Sequence, residues 1–596
     1  MNTGPNGGPA ARPSSAAAGS AVRPSSAAAE LAARSSSAAV EPTARPSSAS
    51  DGCVAWPSSA SPAGTVPADG SVVSAESAHP QPAVAPPARQ SAAAAPPARP
   101  LPAVVASERP AGLPQPAVAP PEPPAGVPQP VVTAEGALPA EPYDVVIVGA
   151  GVVGSAIARA LARHPGLRVA LVEAQDDVGQ GTSKANTAIL HTGFDAVPGS
   201  LEARLVREGG RQLAAYAAES GIPVEPVGAL LVAWDEGQLA ALPALAAKAV
   251  RNGYQDARPL DPEELYTREP HLGPGALGAL HVPGESIVCP WTTTLAYATQ
   301  AVRHGVHLHL NTRVEKADRP GGLHRLTTGR GTLYAHRLVN AAGLHADTLD
   351  RRLGHDDFTV TPRRGQLIVF DKFARALVHH ILLPVPTALG KGVLVAPTVY
   401  GNVLLGPTAE DLRDKHATGS TADGLAALRE KGARVLPRLL DEEVTAVYAG
   451  LRAATEHDDY RITAHAEQGL VTVGGIRSTG LTASLAIADH VTALLADTGL
   501  DLGPARDLEP VHMPNLGEAF PRPYQRPELI AQDPEYGTLV CHCERVSRGE
   551  IRDALTSTLP PRGLDGLRRR TRARSGRCQG FYCGATVRAL FEESRA

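Results

Sequence analysis

The sequence predicts an α/β protein with a disordered N-terminal tail and a small cysteine-rich domain at its C-terminal end. Three observations carry that prediction. Residues 1–140 hold 27 of the 55 prolines and 38 alanines, but no Lys, no Ile and one aromatic residue, Trp56. An apolar β-branched run, Tyr143-Asp144-Val145-Val146-Ile147-Val148, leads directly into Gly149-Ala-Gly151-Val-Val-Gly154. Four of the six cysteines crowd into the last 56 residues.

The N-terminal segment lacks the large apolar side chains that offset the entropy of ordering a chain. It repeats Ala-Arg-Pro-Ser-Ser-Ala around Arg12 and Arg45, with a close copy at Arg23, and Pro-Gln-Pro-Ala-Val-Ala-Pro-Pro from Pro80 and Pro114. Such repeats favour extended conformations with little to pack. A net charge of −4 over 596 residues argues against a nucleic-acid binder as a whole. Nothing reaches the ~18 consecutive apolar residues of a spanning helix. The start lacks the basic and apolar pattern of an export signal, so the cytoplasm is the expected compartment.

Order is expected from Tyr143, where the apolar run reads as a buried parallel strand. Residues Ser155 to Arg163 have helical spacing, and a second strand, Arg168-Val-Ala-Leu-Val-Glu173, ends in an acid 19 residues beyond Gly154. Strand, GxGxxG, helix, strand and acid together predict a Rossmann-like dinucleotide site. Gly149 makes the tight turn, Gly151 admits a pyrophosphate, and Gly154 lets the helix sit close on the sheet. Glu173 accepts hydrogen bonds from a ribose. The signature leaves NAD and FAD open.

Two later segments separate them by resemblance. Leu338-Val-Asn-Ala-Ala-Gly343-Leu-His-Ala-Asp347 resembles the strand-and-glycine element that closes on FAD in two-domain flavoproteins. Val471-Thr-Val-Gly-Gly475-Ile-Arg-Ser-Thr-Gly480-Leu-Thr-Ala-Ser resembles their C-terminal FAD segment, and Gly181-Thr-Ser-Lys-Ala-Asn186-Thr-Ala-Ile-Leu-His191-Thr-Gly193 their second FAD-contacting stretch. Residues 143–500 therefore resemble the D-amino-acid oxidase superfamily of FAD-dependent oxidoreductases. They are nearest the branches of L-2-hydroxyglutarate dehydrogenase and of the anaerobic glycerol-3-phosphate dehydrogenase large subunit. The resemblance implies a Rossmann-like FAD-binding domain with a β-rich substrate cap domain. It places Gly149, Gly151, Gly154, Glu173, Ser183, Asn186, Val314, Gly343, Gly475, Gly480 and Leu481 around FAD.

Gly450-Leu-Arg452 is similar to the family element whose Arg grips an anionic substrate. A guanidinium suits that task because it is planar, forked and always charged. Family members usually follow this Arg with Pro, whereas Ala453 follows here. His191 is read as a general base or substrate contact, since imidazole titrates near neutrality. Packing or FAD orientation, and covalent FAD attachment, are the alternatives. Gly390 to Thr408 looks like cap strands, and Arg363-Arg364-Gly365-Gln366 like the loop before them, so Arg364 and Lys391 are candidate positive charges at the pocket. Cys289 is expected to be a small buried residue.

In the tail, Cys541-His-Cys543, 34 residues, then Cys578-Gln-Gly-Phe-Tyr-Cys583 is a metal-ligand pattern. Four thiolates hold either a tetrahedral zinc or a 2Fe–2S cluster. The flanking residues Val540 to Arg545, Glu550 to Leu555, Leu564 to Arg572 and Gly576 to Gly580 resemble the bacterioferritin-associated-ferredoxin-like 2Fe–2S domain. Twelve arginines against six acids in the tail are expected to stabilise a negative cluster or to dock an acidic electron partner, rather than bind nucleic acid.

The expected organisation is a tail over 1–140, an FAD-dependent oxidoreductase over 141–505, a linker over 506–535 and a 2Fe–2S domain over 536–596. The implied activity is oxidation of glycerol 3-phosphate or a 2-hydroxy acid, with electrons leaving through the cluster to a protein or quinone acceptor. The alternatives are a non-catalytic electron-transfer subunit, or else an amine or amino-acid dehydrogenase subunit. Peripheral membrane association through a partner chain is compatible with each.

Overall fold

The dinucleotide sheet is built as the alternation of apolar runs requires. In the computed structural model, which describes residues 130–386 and 392–595, strands β1 (Val132–Thr133), β2 (Tyr143–Val148) and β3 (Val169–Val172) lie in one sheet, with helix α1 (Val152–Leu161) between the last two. Further on come α2 (Leu201–Ser220), α3 (Pro290–Arg303), β4 (His307–His309), β5 (Val314–Asp318), β6 (His324–Thr328) and β7 (Gly331–Asn340). Helix α4 (Ala346–Arg352), β8 (Arg461–His465), β9 (Leu470–Gly474) and α5 (Gly480–Asp497) complete this part. The order β4-β3-β2-β7-β9 is parallel throughout. Strand β7 forks: its first half pairs antiparallel with β6, and its last residues pair with β9. Parallel strands covered on both faces read as continuous apolar runs, and Val145 to Ile147 are fully buried.

The tail expected over 1–140 lies, as far as residue 129, outside the described residues, as does Lys391. The ordered chain nonetheless starts before Tyr143. Val132 and Thr133 form an edge strand parallel to β4, and Arg330 donates to the carbonyls of Thr133 and Glu135. The β-branched Val131-Val132-Thr133 supplies the apolar edge that the preceding prolines lack.

A second nine-stranded sheet forms the cap, and a few of its strands build the site. Thr361–Phe370 pairs antiparallel with Val444–Ala454, setting Arg363 opposite Arg452 and Gly365 opposite Gly450. The segment expected as a loop, Arg363 to Gln366, is thus the middle of a ten-residue strand. Its arginines are tolerated there because both are paired, Arg363 with Asp411 and Arg364 with Glu410.

Residues 506–535 are not a free spacer. Val511, Met513 and Leu516 are buried, the Met513 amide donates to the Ser220 carbonyl, and the Glu518 amide donates to the Val399 carbonyl. Arg522 is 1% exposed and donates to Glu550 at 2.8 Å. The segment is a strap laid over the larger part of the molecule. It leads into the cysteine-rich domain, with strands β10 (Leu539–Cys541) and β11 (Val546–Ser547) and helices α6 (Arg548–Leu555), α7 (Leu564–Thr571) and α8 (Gly584–Glu593). Ser547 and Glu550 cap α6 reciprocally. Among the described residues no helix is long and apolar enough to cross a membrane.

Candidate active site

A cleft of about 2010 Å³ runs from the C-terminal ends of the parallel strands to the cap sheet. Single small-ligand pockets span roughly 300–1,000 Å³, so this one has room for a dinucleotide and a substrate together. At its first end Gly149 adopts φ +107°, and a Cβ there would sit 2.5 Å from the Ala341 carbonyl oxygen. A Cβ on Gly154 would fall 1.9 Å from the Gly149 oxygen, so the turn and the helix close on each other only through glycine. Gly151 opens α1 toward the cleft.

Glu173 directly follows β3 at the same place, its carboxylate accepting from the amides of Ala150 at 2.8 Å and Gln175 at 3.0 Å. Burial holds its carboxyl above the usual range despite those bonds. Ser183 Oγ accepts from the Val152 amide at 2.9 Å, covering a helix N-terminal donor. Asn186 Oδ1 accepts from the amide of Ala188, which has φ +62°. Ser183, Asn186, Val314, Gly343, Gly480 and Leu481 all line the cleft. Gly475 does not. It has φ +69°, and a Cβ there would press on Asp459 and Arg461, so it shapes a turn while Ile476 and the residues after it reach the cleft.

At the cap end, Arg452 lines the cleft and donates to the Thr408 carbonyl at 3.4 Å. Among the described residues no carboxylate pairs with it. Its cross-strand neighbour is Arg363, and like charges directly opposite destabilise a strand pair. Burial first, and Arg363 second, lower its pKa. Gly365 makes the space: a Cβ there would sit 2.9 Å from an Arg452 guanidinium nitrogen. Gly450 brings the same strand close to Ala185. Arg364 is absent from the lining and spent on Glu410, so it adds no charge to the pocket.

His191 also lines the cleft, and its Nδ1 lies 2.9 Å from Glu285, whose side chain is fully buried. Glu285 further accepts from the Thr192 amide at 2.7 Å and the Thr192 hydroxyl at 2.9 Å. A carboxylate held this way accepts the hydrogen bond of Nδ1–H, which leaves the ring's lone pair on Nε2. Sequence reasoning missed Glu285, because a lone acid after Pro283-Gly284 in a turn carries no motif. Cys289 is buried in the apolar core as expected, and its thiol also bonds to the Thr292 and Tyr400 hydroxyls.

The four tail cysteines gather as two facing pairs, Cys543 with Cys578 and Cys541 with Cys583. Burial first, then Cys541, pushes the Cys583 thiol up to about 12. Burial would raise Cys578 too, but hydrogen bonds from the Tyr582, Gly580 and Phe581 amides and from the Cys543 thiol leave it lowered. Around one zinc, sulfurs lie ~3.8 Å apart, as Zn–S bonds of about 2.3 Å require. Here no three of the four come within 4.8 Å of one another. Two pairs, one per iron, fit a 2Fe–2S cluster better than a single tetrahedral ion.

Several arginines of the run expected around the cluster or at a partner's surface have a further use. Arg569 and Arg570 are buried and converge on Asp177 of the larger part, at 2.7 and 2.6 Å. Arg572 joins Glu544 to Asn402, and Arg577 reaches Asp371. These charges fasten the cysteine-rich domain to the dinucleotide and cap domains. Composition could not show it, because Asp177 lies nearly four hundred positions away.

Comparison with known proteins agrees with this geometry. The profile of FAD dependent oxidoreductases matches residues 144–494, and that of the BFD-like [2Fe-2S] binding domain matches 539–593. A glycerol 3-phosphate dehydrogenase of Caloramator mitchellensis is 36% identical over 448 residues, 75% of this chain and 93% of its own length. An anaerobic glycerol-3-phosphate dehydrogenase subunit of Escherichia coli is 27% identical over 494 residues, covering 75% and 88%. The dithionite-reduced L-alpha-glycerophosphate oxidase of Mycoplasma pneumoniae, solved with FAD bound, superposes with a TM-score of 0.57 at 31% identity, covering 63% of this chain and 98% of its own.

Proposed function

The chain belongs to the FAD-dependent oxidoreductases, carrying a BFD-like [2Fe-2S] domain at its C-terminal end, and from that premise we propose that it is a dehydrogenase of glycerol 3-phosphate. The observation that carries the reading is Arg452, a largely buried guanidinium with no carboxylate among the described residues and a second arginine opposite. Such a group is stabilised by an anion, and a phosphate accepts its two parallel hydrogen bonds. The similarity to glycerol 3-phosphate dehydrogenases points to the same substrate class.

FAD held in the cleft would accept a hydride from substrate carbon and release electrons singly to a 2Fe–2S cluster in the tail. The chain's own residues do the rest. Gly149, Gly151 and Gly154 clear the backbone for a pyrophosphate, and Glu173 presents a carboxylate to a ribose. Arg452 orients the substrate by its anionic end. His191, with Nδ1 committed to Glu285, offers Nε2 to the substrate hydroxyl proton, and the fully buried carboxylate stabilises the resulting imidazolium. Cys541, Cys543, Cys578 and Cys583 hold the cluster, from which an electron acceptor, a protein or a quinone, is served.

Anaerobic mixing tests this. Glycerol 3-phosphate should bleach the flavin band. Bleaching only by L-2-hydroxyglutarate would move the substrate to a 2-hydroxy acid, and bleaching only by amines or amino acids would move it to the other enzyme class. Among variants, His191→Ala should slow flavin reduction by ~10²- to 10⁴-fold with a smaller change in substrate affinity.

A further inference from the structure

Outside the cleft and the cysteine domain, one cluster of metal-ligating side chains is left without a task. His355 follows α4, Asp357 stands two residues on, and His465 ends β8. Each can bring one ligand atom so that all three lie within 4.8 Å of one another, the one such group of three among the described residues. The imidazoles of His355 and His465 stack with ring centroids 3.6 Å apart, and His465 Nε2 lies 4.0 Å from Asp357. None of the three lines the cleft.

The Nε2 atoms of both histidines are buried and have no hydrogen-bond partner. A buried polar atom left unpaired is costly, and natural proteins leave few. Behind the rings stands Asp350, 2% exposed, whose Oδ1 accepts from Asn340 at 2.8 Å and from Thr472 at 2.6 Å. Its Oδ2 has no partner, and its charge acts on both imidazoles. Two orphaned imidazole nitrogens, a carboxylate beside them and an unsatisfied carboxylate behind are the donor set of a borderline-soft divalent cation.

We propose that His355, Asp357 and His465, backed by Asp350, bind a divalent transition-metal ion of the zinc class. The site's place in the fold gives it a structural role. The ion would tie the loop leaving α4 to the end of β8. Water completes the fourth position, since Asp357 opens the site to solvent.

The test uses the untagged holoprotein, freed of loosely bound metal with EDTA and dialysed against zinc chloride. Elemental analysis should find about one zinc per chain beside the cluster iron, and zinc should raise Tm by roughly 2–4 °C. The His355→Ala/His465→Ala protein should bind zinc at least ~100-fold more weakly and lose the Tm response, with iron and flavin content unchanged. Asp357→Asn, an exposed change that leaves no hole, should weaken zinc by about 10-fold or more. Cys578→Ser should keep the zinc. No uptake by the wild-type protein, uptake unaltered in both the double variant and Asp357→Asn, or zinc lost with Cys578 and retained without the histidines would each overturn the proposal.

Discussion

Arginine is buried in one region of this molecule and half-buried in another, to opposite ends. At the domain junction Arg569 and Arg570 converge on one carboxylate, Asp177, and Arg570 also donates to the Leu559 and Gly566 carbonyls. At the cap end of the cleft Arg452 has one long bond to a carbonyl and another arginine across the strand pair. Burial costs a charge in both places. At the junction the chain supplies the counter-charge itself, and the result is architecture. In the cleft no carboxylate among the described residues supplies one, and the proposed result is affinity for an anion from solution. An unpaired buried charge is therefore more informative about function than burial or residue type alone.

The comparison can be broken at several points. The largest effect should come from the cluster, which needs all four thiolates. Cys578→Ser should lose about two irons and two sulfides per chain while FAD remains bound, as iron and flavin analysis will show. Stoichiometric zinc without acid-labile sulfide would refute the 2Fe–2S assignment. Next is the junction. Asp177→Ala leaves Arg570 buried without a counter-charge and Arg569 with Asp565 alone, and should destabilise domain docking by about 3–5 kcal/mol, seen as an early transition in thermal unfolding.

The same carboxylate sets a pH dependence. Burial would raise the Asp177 pKa, but Arg570 and Arg569 outweigh it and leave it lowered. Its stabilising contribution is thus complete above the usual Asp range near ~4 and is lost as pH falls through the lowered value. Acid titration of junction stability should show this loss in wild type and not in Asp177→Ala.

In the cleft the expected loss is smaller. Arg452→Ala should cut kcat/KM for glycerol 3-phosphate by about 30- to 1000-fold with FAD retained, and Arg452→Lys should recover only part, because an ammonium lacks the planar fork. Wild-type turnover in Arg452→Ala would place the anion grip elsewhere. The smallest effect belongs to the N-terminal segment. A chain starting at residue 130 should keep FAD content and turnover within about twofold, since the composition of that segment offers no core.

How far the sequence could be read depended on the range of the forces involved. The glycine turn was legible because one of its constraints is local: Gly154 closes on the Gly149 carbonyl within the same turn. The cysteine pairs were legible because thiolate chemistry restricts spacing. Arg452 was legible through its neighbours Gly450 and Leu451, but its lack of a carboxylate partner among the described residues was not, since that depends on Thr361–Phe370 folding beside it. The strand through Arg363 to Gln366 is not legible locally, since its two arginines are accommodated only by Asp411 and Glu410 across the strand pair. Glu285 and Asp177 were invisible for one reason. Each is a single acid whose partner lies about a hundred or more residues away.

The strap over residues 506–535 has a kinetic consequence. Where a redox domain hangs on a loose tether, electrons travel by a swing, and the rate follows the friction of the solvent. Here Arg522 is locked against Glu550, and Met513 and Glu518 are bonded to the body of the protein. The cysteine-rich domain is therefore a fixed station, its separation from the cleft set at folding. Electron passage between the two should proceed at the same rate in buffer and in syrup.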